Sequence, residues 1–355
     1  MRKAVFPVTE ESGSPRKRRR KGSGVTMADV AAAAGVSMQT VSRALRFPET
    51  VTPERRKAIQ EAIEKTHYVH NLAASHLASH KSNTVAAVIP TLSASVFAET
   101  IQHFSGVLHE AGYQIFLGNT DYRLEREEEI IRSLLGRRPD GIFIIGTHHS
   151  RGSISLLRRA GIPVVEGWDF IKKPIDRIVG FSNADAITAM VQHLVASGRR
   201  YIVFAGVVRK GDSRAAARRA AFKAEMEKIF PGEKPRIVIS TEMSVEMKSG
   251  VELLRRALAR YPEADAMMFT SDILASGALL GTQRIGITVP QRLAITGFGD
   301  FELARHLLPS LTTVAVPSAE IGRRAGQLLL GAMRDDVSSE NIIDVGFKLM
   351  IRESG

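Results

Sequence analysis

The stretch GVSMQTVSRAL, from Gly35 to Leu45, decides how the first part of the chain folds. Gly35 suits the left-handed turn that ends a helix, and Ser37 is a typical N-cap for a second helix that runs to about Leu45. Helical periodicity turns Val41 inward. The side chains that then face outward are Met38, Gln39, Ser42 and Arg43. The stretch therefore predicts a short helix with a hydrogen-bonding outer face.

The segments on either side predict two more helices. Thr26 can cap the first helix, and Asp29 stands three residues later, as in a capping box. Thr52 followed by Pro53 is typical of the start of a third helix. The apolar stripe of this third helix is Ala58, Ile59, Ala62 and Ile63. Three short helices of this kind make a small domain.

The spacing within this region predicts a helix-turn-helix unit. Such a unit needs a small residue where its two helices cross, a glycine in the turn and an apolar residue that faces back. Ala31, Gly35 and Val41 meet these needs, and Val30 and Val36 add to the core. The alternative is an alanine-rich helical hairpin that does not bind DNA.

The outer face of the second helix has the chemistry of base recognition in the major groove. Gln39 can pair with adenine through two hydrogen bonds, Arg43 with guanine or a phosphate, and Met38 can contact a thymine methyl group. Hydroxyl groups suit phosphate oxygens, which fix the position of a helix on DNA. The further predicted DNA contacts are those of Thr26, Ser37, Thr40 and Ser42.

The distribution of charge agrees with a DNA-binding head. The chain of 355 residues carries a formal net charge of +12, and residues 1–80 hold 14 Lys and Arg against 7 Asp and Glu. A basic head on a nearly balanced body is typical of a polyanion-binding module joined to a different functional unit. A solvated basic surface is the alternative explanation.

The composition excludes several other classes of protein. The chain has no cysteine, so disulfides and thiolate metal sites are excluded. No apolar run approaches the ~20 residues that cross a bilayer, and the first residues lack the apolar core of a secretory signal. We therefore expect a cytoplasmic protein with no membrane partner.

The chain divides into four segments. Residues 1–24 contain the run RKRRRK and are expected to form a disordered basic tail. Residues 25–70 are the predicted helix-turn-helix DNA-binding domain, residues 71–83 a linker, and residues 84–355 a larger core. These boundaries follow changes in composition along the chain.

The sequence of the core has the pattern of an α/β protein with parallel sheets. Short apolar runs alternate with amphipathic segments for more than two hundred residues, which indicates buried strands separated by helices. The runs are TVAAVIP, YQIFLGN, DGIFIIG, IPVVEGW, YIVFAG, PRIVIS, DAMMFTSD and LAITGFGD. We expect two similar lobes, one of residues 84–197 and 318–340 and the other of residues 198–317 and 341–355.

The head resembles that of the LacI/GalR family of bacterial transcription regulators. The resemblance is carried by VTMADVAAAAGVSMQTVSRAL and by VTPERRKAIQEAIEKTHYVHNLAASHLAS. It implies a three-helix DNA-binding domain joined to a two-lobed, periplasmic-binding-protein-like core. It also implies that residues 71–83 are a hinge helix or linker and that residues 84–355 are the effector-binding and dimerisation core. Segments such as AGIPVVE, VGFSNADA and AITGFGD most resemble the gluconate-operon repressors of that family.

The resemblance also implies partners and particular residues. It implies a homodimer, or a higher oligomer, on double-stranded palindromic operator DNA, with Leu77 of the hinge wedged into the minor groove. It implies an effector between the lobes, with the Arg218 guanidinium at the start of a helix holding its carboxylate. The alternative for Leu77 is an ordinary linker residue, and for Arg218 a solvated helix face.

The carboxyl ends of the predicted strands supply the other candidate effector residues. Ligands of parallel α/β lobes bind at these ends. Small polar and aromatic residues suit a polyhydroxylated ligand, which could stack on Phe97 or Trp168. The candidate set is Phe97, Trp168, Asp185, Arg218, Ser271 and Asp300. Trp168 could equally be an ordinary core residue.

Catalysis is not indicated by the core sequence. GFGD at residues 297–300 lacks the third glycine of a dinucleotide-binding sequence, and His148 and His149 are poorly spaced to share a metal. We therefore expect no enzyme activity, no cofactor and no metal. The main hypothesis is a repressor that a sugar acid such as gluconate releases from DNA. The alternatives are a regulator of another sugar or purine pathway and a solute-binding protein.

Overall fold

The computed structural model describes residues 24–69, 81–334 and 340–355. Its contacts divide the chain into one unit within residues 1–80 and a second within residues 81–355. The predicted tail (residues 1–24) and hinge (residues 71–83) lie almost wholly outside the described residues, so their boundaries stay predictions.

The first unit contains the three predicted helices, α1 (Met27–Ala34), α2 (Met38–Arg46) and α3 (Pro53–Thr66). The capping box at the start of α1 is present, because the Thr26 backbone N–H donates to Asp29 Oδ2 at 2.8 Å. Gly35 ends α1 with φ 64°. The Ser37 side chain caps α2 by accepting from the Thr40 backbone N–H at 3.2 Å.

The small core of this unit is also the predicted one. Val30 and Val41 are fully buried, and Ala31 is 5% exposed where α1 meets its neighbours. Ile59 and Ala62 of α3 complete the cluster. One detail differs from the prediction: Pro53 is at the first position of α3, but the Thr52 side chain makes no capping hydrogen bond.

The second unit alternates strands and helices. Its first elements are β1 (Thr84–Ile89), α4 (Ser95–Glu110), β2 (Gln114–Asn119), α5 (Leu124–Leu135), β3 (Gly141–Ile145), α6 (Arg151–Arg159), β4 (Val164–Gly167) and β5 (Arg177–Gly180). They are followed by α7 (Asn183–Ala196), β6 (Ile202–Val207), α8 (Ser213–Ile229), β7 (Arg236–Ser240), α9 (Met247–Arg260), β8 (Ala266–Phe269), α10 (Asp272–Arg284), β9 (Ala294–Gly299) and β10 (Thr312–Ala315). The last elements are α11 (Ser318–Met333), β11 (Ile342–Asp344) and β12 (Lys348–Met350).

These strands form two six-stranded sheets. The first has the order β11-β5-β4-β3-β1-β2 and the second the order β12-β10-β9-β8-β6-β7. All neighbouring pairs are parallel except β10 and β12, which run antiparallel. The predicted architecture, a two-lobed α/β core with parallel sheets, is therefore confirmed apart from this edge pair.

Two of the predicted lobe boundaries are wrong. We expected residues up to 197 in the first lobe, but α7 packs against α8 and β12 of the second lobe. We expected residues 341–355 in the second lobe, but β11 pairs with β5, with Ile342 opposite Ile178. The chain therefore crosses between the lobes after β5, after β10 and again between β11 and β12.

The carboxyl ends of the strands face a space between the two lobes, and the backbone there is unusual. Trp168, directly after β4, has φ 71°, and Asp300, directly after β9, has φ 53°. Non-glycine residues rarely adopt this left-handed region, which is enriched at functional sites. Among the described residues, none of the helices is long and apolar enough to span a bilayer.

Candidate functional site

The outer face of α2 leaves its three predicted base-contacting side chains available. Met38 is 54% exposed, and both Gln39 and Arg43 are exposed. In the described part of the chain, neither Gln39 nor Arg43 has a side-chain hydrogen bond or ion pair. Since polar side chains on a helix often pair with neighbours, this arrangement leaves the full hydrogen-bonding capacity of the two residues for a ligand.

The predicted phosphate-contacting hydroxyls are placed differently, because they also serve the helices. The Ser37 and Thr40 hydroxyls lie 2.9 Å apart, and the Thr26 hydroxyl donates to Asp29. The Ser42 hydroxyl accepts from Arg46 Nη2 at 2.7 Å. Leu77, the predicted minor-groove residue, lies outside the described residues.

Arg46 was not among the predicted DNA-contacting residues. It is exposed and lies one turn after Ser42, to which it donates its hydrogen bond. A polar and a basic residue four positions apart on a helix are the sequence signal for this hydrogen bond.

The core contains a cavity of about 340 Å³ between the two lobes. This volume is near the lower end of the ~300–1,000 Å³ that is usual for small-molecule sites. Four of the six predicted effector residues line it, and they are Phe97, Trp168, Arg218 and Ser271. The residues come from both lobes, so a ligand in this cavity would contact both.

Two arginines of α8 supply the positive charge of the cavity. Arg214 is 6% exposed, and its guanidinium lies 5.2 Å from the centre of the Phe97 ring. The Arg218 guanidinium lies 4.3 Å from the centre of the Phe298 ring. The two residues are one helical turn apart, so they present their guanidiniums on the same face of α8.

Both guanidiniums have unused donors. Arg214 Nη1 and Arg218 Nε are shielded from solvent and have no hydrogen-bond partner. Neither group forms an ion pair with a carboxylate in the described part of the chain. Burial lowers the pKa of Arg218, and the charge of Asp212 opposes that shift. The cavity therefore holds two cations whose burial is poorly compensated by the protein.

The acidic residues that line the cavity are engaged elsewhere. Asp121 pairs with Arg126, and Glu246 Oε2 lies 2.9 Å from Lys248 Nζ. Asp212 caps α8 by accepting from the Ala215 backbone N–H at 3.0 Å. These acidic residues therefore form no ion pair with Arg214 or Arg218 in the described part of the chain.

The predicted aromatic residues have partners of their own. Phe97 and Trp168 meet edge to face with ring centres 4.7 Å apart, and the Trp168 indole N–H donates to Thr100 Oγ1 at 3.1 Å. We expected a sugar ring to stack on one of these faces. In the structure the Arg214 guanidinium covers a face of Phe97, and Trp168 is only 5% exposed.

Two predicted effector residues lie outside the cavity. Asp185 is exposed, because it lies two residues, and thus about half a turn, beyond the buried Asn183 on α7. Asp300 accepts a hydrogen bond from Arg352 Nη2 at 2.6 Å. This ion pair ties the end of β9 to the C-terminal segment, which explains why Asp300 does not face the ligand space.

Ser271 lines the cavity at the start of α10, and its hydroxyl is buried without a partner. The next residue, Asp272, is buried and holds the loop that carries Phe301, whose backbone N–H donates to Asp272 Oδ2 at 2.7 Å. Burial raises the pKa of Asp272 to about 6, although a hydrogen bond from Thr313 opposes the shift. Asp272 therefore shapes the cavity wall from behind.

Sequence reasoning missed other residues of the cavity, Tyr122 and Arg209 among them. Both line it, and the Arg209 guanidinium lies 5.5 Å from the centre of the Tyr122 ring. Burial raises the pKa of Tyr122, and the charge of Asp212 adds to the shift. Tyr122 follows β2 in a loop with no recognisable pattern, so the sequence offered little signal for it.

The two adjacent histidines have different surroundings. His148 is exposed, whereas His149 is buried between two carboxylates, with Nδ1 3.0 Å from Glu127 Oε1 and Nε2 3.4 Å from Glu166 Oε1. Burial lowers the pKa of His149, but the two carboxylates outweigh it and raise the pKa to about 9. In the described residues no cluster of three His, Cys, Asp or Glu side chains could hold a metal.

Comparison with known proteins finds matches for both units of the chain. Residues 26–71 match the bacterial regulatory proteins of the lacI family, and residues 191–355 match the periplasmic binding protein-like domain. The chain is 34% identical over 329 residues to the HTH-type transcriptional regulator GntR of Pseudomonas aeruginosa. That alignment covers 93% of this chain and 95% of the relative.

The chain belongs to the lacI family of transcription regulators.

Other relatives of this LacI-family regulator agree. The GntR regulator of Escherichia coli K12 is 33% identical over 90% of this chain and 96% of its own length. A solved LacI-family regulator from Silicibacter pomeroyi superposes with a TM-score of 0.88 at 33% identity. That superposition covers 93% of this chain and 99% of the solved one. The helix-turn-helix unit is therefore the DNA-binding domain of a transcription regulator.

Proposed function

We propose that this LacI-family regulator represses sugar-acid utilisation genes, those for gluconate in particular. In this proposal a sugar acid binds between the core lobes and releases the protein from a palindromic operator. The observation that carries the proposal is the pair of arginines, Arg214 and Arg218, which line the interlobe cavity without a carboxylate partner.

The charge of the cavity supports an acidic effector. A buried cation that lacks a partner is costly, and a ligand carboxylate removes that cost. A guanidinium can also hold a carboxylate through two parallel hydrogen bonds, for which the free donors of Arg214 and Arg218 are available. Hydroxyl-bearing residues of the same wall, such as Ser93, Thr270 and Ser271, suit the hydroxyls of a sugar chain.

The relatives support the same class of effector. The sequence resembles the gluconate-operon repressors, and two relatives aligned over nine tenths or more of the chain are named GntR. This support is independent of the charge argument, because it does not use the geometry of the cavity.

For the DNA side, we propose that Gln39, Arg43 and Met38 contact base edges in the major groove. Helix-turn-helix proteins bind as dimers, with their recognition helices about 34 Å apart, so we propose a homodimer on a palindromic operator. The hydroxyls of Thr26, Ser37, Thr40 and Ser42 are proposed to contact phosphates, and Leu77 the minor groove.

The coupling between the two sites follows from the position of the cavity. An effector that contacts both lobes favours one arrangement of the lobes over another. If the arrangement also changes the fit to the operator, the two binding events share a coupling free energy, typically ~1–3 kcal/mol, and the coupling is reciprocal.

The experiment that tests the proposal starts with the full-length protein and a library of genomic fragments. Fragments retained at physiological salt are challenged with D-gluconate, and with D-glucose and adenine as neutral comparisons. Release by gluconate alone is the expected result. Release by glucose or adenine would favour a regulator of another pathway, and the absence of sequence-specific retention would favour a solute-binding protein.

A further inference from the structure

Asn183 has a position in the core that sequence reasoning did not single out. It is the first residue of α7 and follows β5, where the chain first crosses from one lobe to the other. Asn183 is buried, with only 2% of its surface exposed. A buried polar side chain at a crossing point needs partners, and its partners here come from both lobes.

The two ends of the Asn183 amide make different hydrogen bonds. Its Nδ2 donates to the Trp168 carbonyl oxygen at 3.2 Å. Its Oδ1 accepts from Arg218 Nη1 at 2.8 Å. An amide is neutral and can donate and accept at the same time, whereas an ionised carboxylate can only accept. The side chain therefore joins a first-lobe backbone group to a second-lobe guanidinium.

The first-lobe end of this bridge is firmly held. The Trp168 backbone N–H donates to the Val179 carbonyl oxygen at 3.2 Å, and its indole N–H donates to Thr100 Oγ1 at 3.1 Å. Trp168 has a left-handed backbone, with φ 71°, which only supporting contacts can maintain. Its carbonyl oxygen is thus a fixed reference point for Asn183.

The second-lobe end is held by little else. In the described part of the chain, the Asn183 amide oxygen is the one hydrogen-bond acceptor of the Arg218 guanidinium, which otherwise lies on the Phe298 ring. Because the acceptor is neutral, it orients the guanidinium without cancelling its charge. The Arg218 Nε remains free to donate to another group.

We propose that Asn183 is a positioning residue, which orients the Arg218 guanidinium so that it can bind the anionic group of the effector. Through the same side chain, Asn183 connects this guanidinium to Trp168 of the first lobe. The inference rests on the proposed function, since it concerns the same cavity. It adds a requirement for a neutral amide at this position. A carboxylate of the same shape would pair with Arg218 and compete with the effector.

The test uses two full-length variants, Asn183→Asp and Asn183→Ala, with Ala184→Ser as a control at an exposed position of the same helical turn. The affinity for D-gluconate is measured by calorimetry, and operator binding confirms that each variant is folded. The control is expected to match the wild type. We expect Asn183→Ala to bind gluconate about tenfold more weakly and Asn183→Asp to bind it at least about a hundredfold more weakly.

The order of the two variants separates positioning from simple packing. Asp has almost the same shape as Asn, so a packing role predicts that Asn183→Asp binds gluconate at least as well as Asn183→Ala, and that result would overturn the inference. If only one variant folds, unchanged gluconate affinity in that variant overturns it as well. A wild-type protein that binds no sugar acid would refute the proposed function, and the inference with it.

Discussion

Gly211 of the second lobe and Tyr122 of the first lobe touch so closely that no side chain fits between them. A Cβ atom on Gly211 would lie 2.1 Å from the Tyr122 carbonyl oxygen, and the Gly211 backbone has φ 110°. Tyr122 lines the cavity, and Gly211 directly precedes the residue that caps α8. The arrangement of the lobes in this structure therefore requires glycine at position 211.

Replacement of this glycine is expected to weaken effector binding. In a Gly211→Ala variant the added methyl group would force the loops of Tyr122 and Gly211 apart and open the cavity. We expect at least a tenfold loss of gluconate affinity, measured by calorimetry. Overpacking a close contact typically costs about 1–3 kcal/mol, and relief of this clash moves the two walls of the cavity apart. Retention of specific operator binding serves to confirm that the variant is folded.

Gly232→Ala is the matched control for this variant. Gly232 also has a positive φ, 87°, but no atom lies within 4 Å of the position of its Cβ. The Gly232→Ala variant therefore loses about 1–2 kcal/mol of stability to the same kind of backbone strain, but it has no interlobe clash. Equal gluconate affinities in the two variants would show that the Gly211 contact does not control the cavity.

Loss of the Arg218 guanidinium should greatly weaken the effector response. Hydrogen bonds to charged groups contribute about 1.5–3 kcal/mol, so Arg218→Ala should weaken gluconate binding by one to two orders of magnitude. Arg219→Ala is the control, because Arg219 is the exposed neighbour on α8. The measurement is release of operator DNA by gluconate, and a normal response in Arg218→Ala would contradict the assignment.

Loss of the Gln39 side chain should weaken binding to the operator more than binding to random DNA. We expect Gln39→Ala to cost about 1–3 kcal/mol on the operator and to relax the preference at one or two base pairs. Gln60→Ala removes the same group from α3, where Gln60 pairs with Glu64. Fluorescence anisotropy with operator and random duplexes compares the two variants. Equal weakening of both duplexes by Gln39→Ala would argue against base recognition.

The buried His149 predicts a pH-dependent stability. Its folded pKa of about 9 lies above the ordinary value of 6.5, so its stabilisation is complete below pH 6.5 and is lost as the pH rises through about 9. The difference corresponds to about 3 kcal/mol. Denaturant unfolding of the wild type should show this loss between about pH 7 and about pH 10.

A His149→Gln variant serves as the comparison, because a neutral amide does not titrate in this range. The free energy of unfolding of this variant should fall much less than that of the wild type between about pH 7 and about pH 10. Asp272 does not interfere, since its pKa of about 6 leaves it ionised throughout the interval. Parallel pH profiles for the two proteins would show that His149 is not held in its charged form.

Local signals explain why the first unit could be predicted so well. The caps at Thr26 and Ser37 and the turn at Gly35 act within a few residues, so the sequence contains all the information needed to place α1 and α2. The eight apolar runs became strands because each is a local run of apolar residues, although the edge strand β2 is largely exposed rather than buried. Four strands, β5, β10, β11 and β12, were missed, since each is short and contains polar residues.

The cavity was harder to predict because its residues meet through tertiary structure. Four predicted residues line it, namely Phe97, Trp168, Arg218 and Ser271. Asp300 instead pairs with Arg352, which lies in a distant segment of the chain. Asp185 was predicted and Asn183 was not, but it is Asn183 that lies on the buried side of α7. A single sequence does not show which of two nearby polar residues faces the lobe junction.

The central claim is that an acidic ligand between the lobes and operator DNA on the head influence each other. Fluorescence of Trp168, the single tryptophan of the chain, can report gluconate binding with and without saturating operator DNA. We predict that the operator weakens gluconate binding by about 5- to 150-fold, and by the same factor that gluconate weakens operator binding. An unchanged gluconate affinity in the presence of the operator would contradict the account.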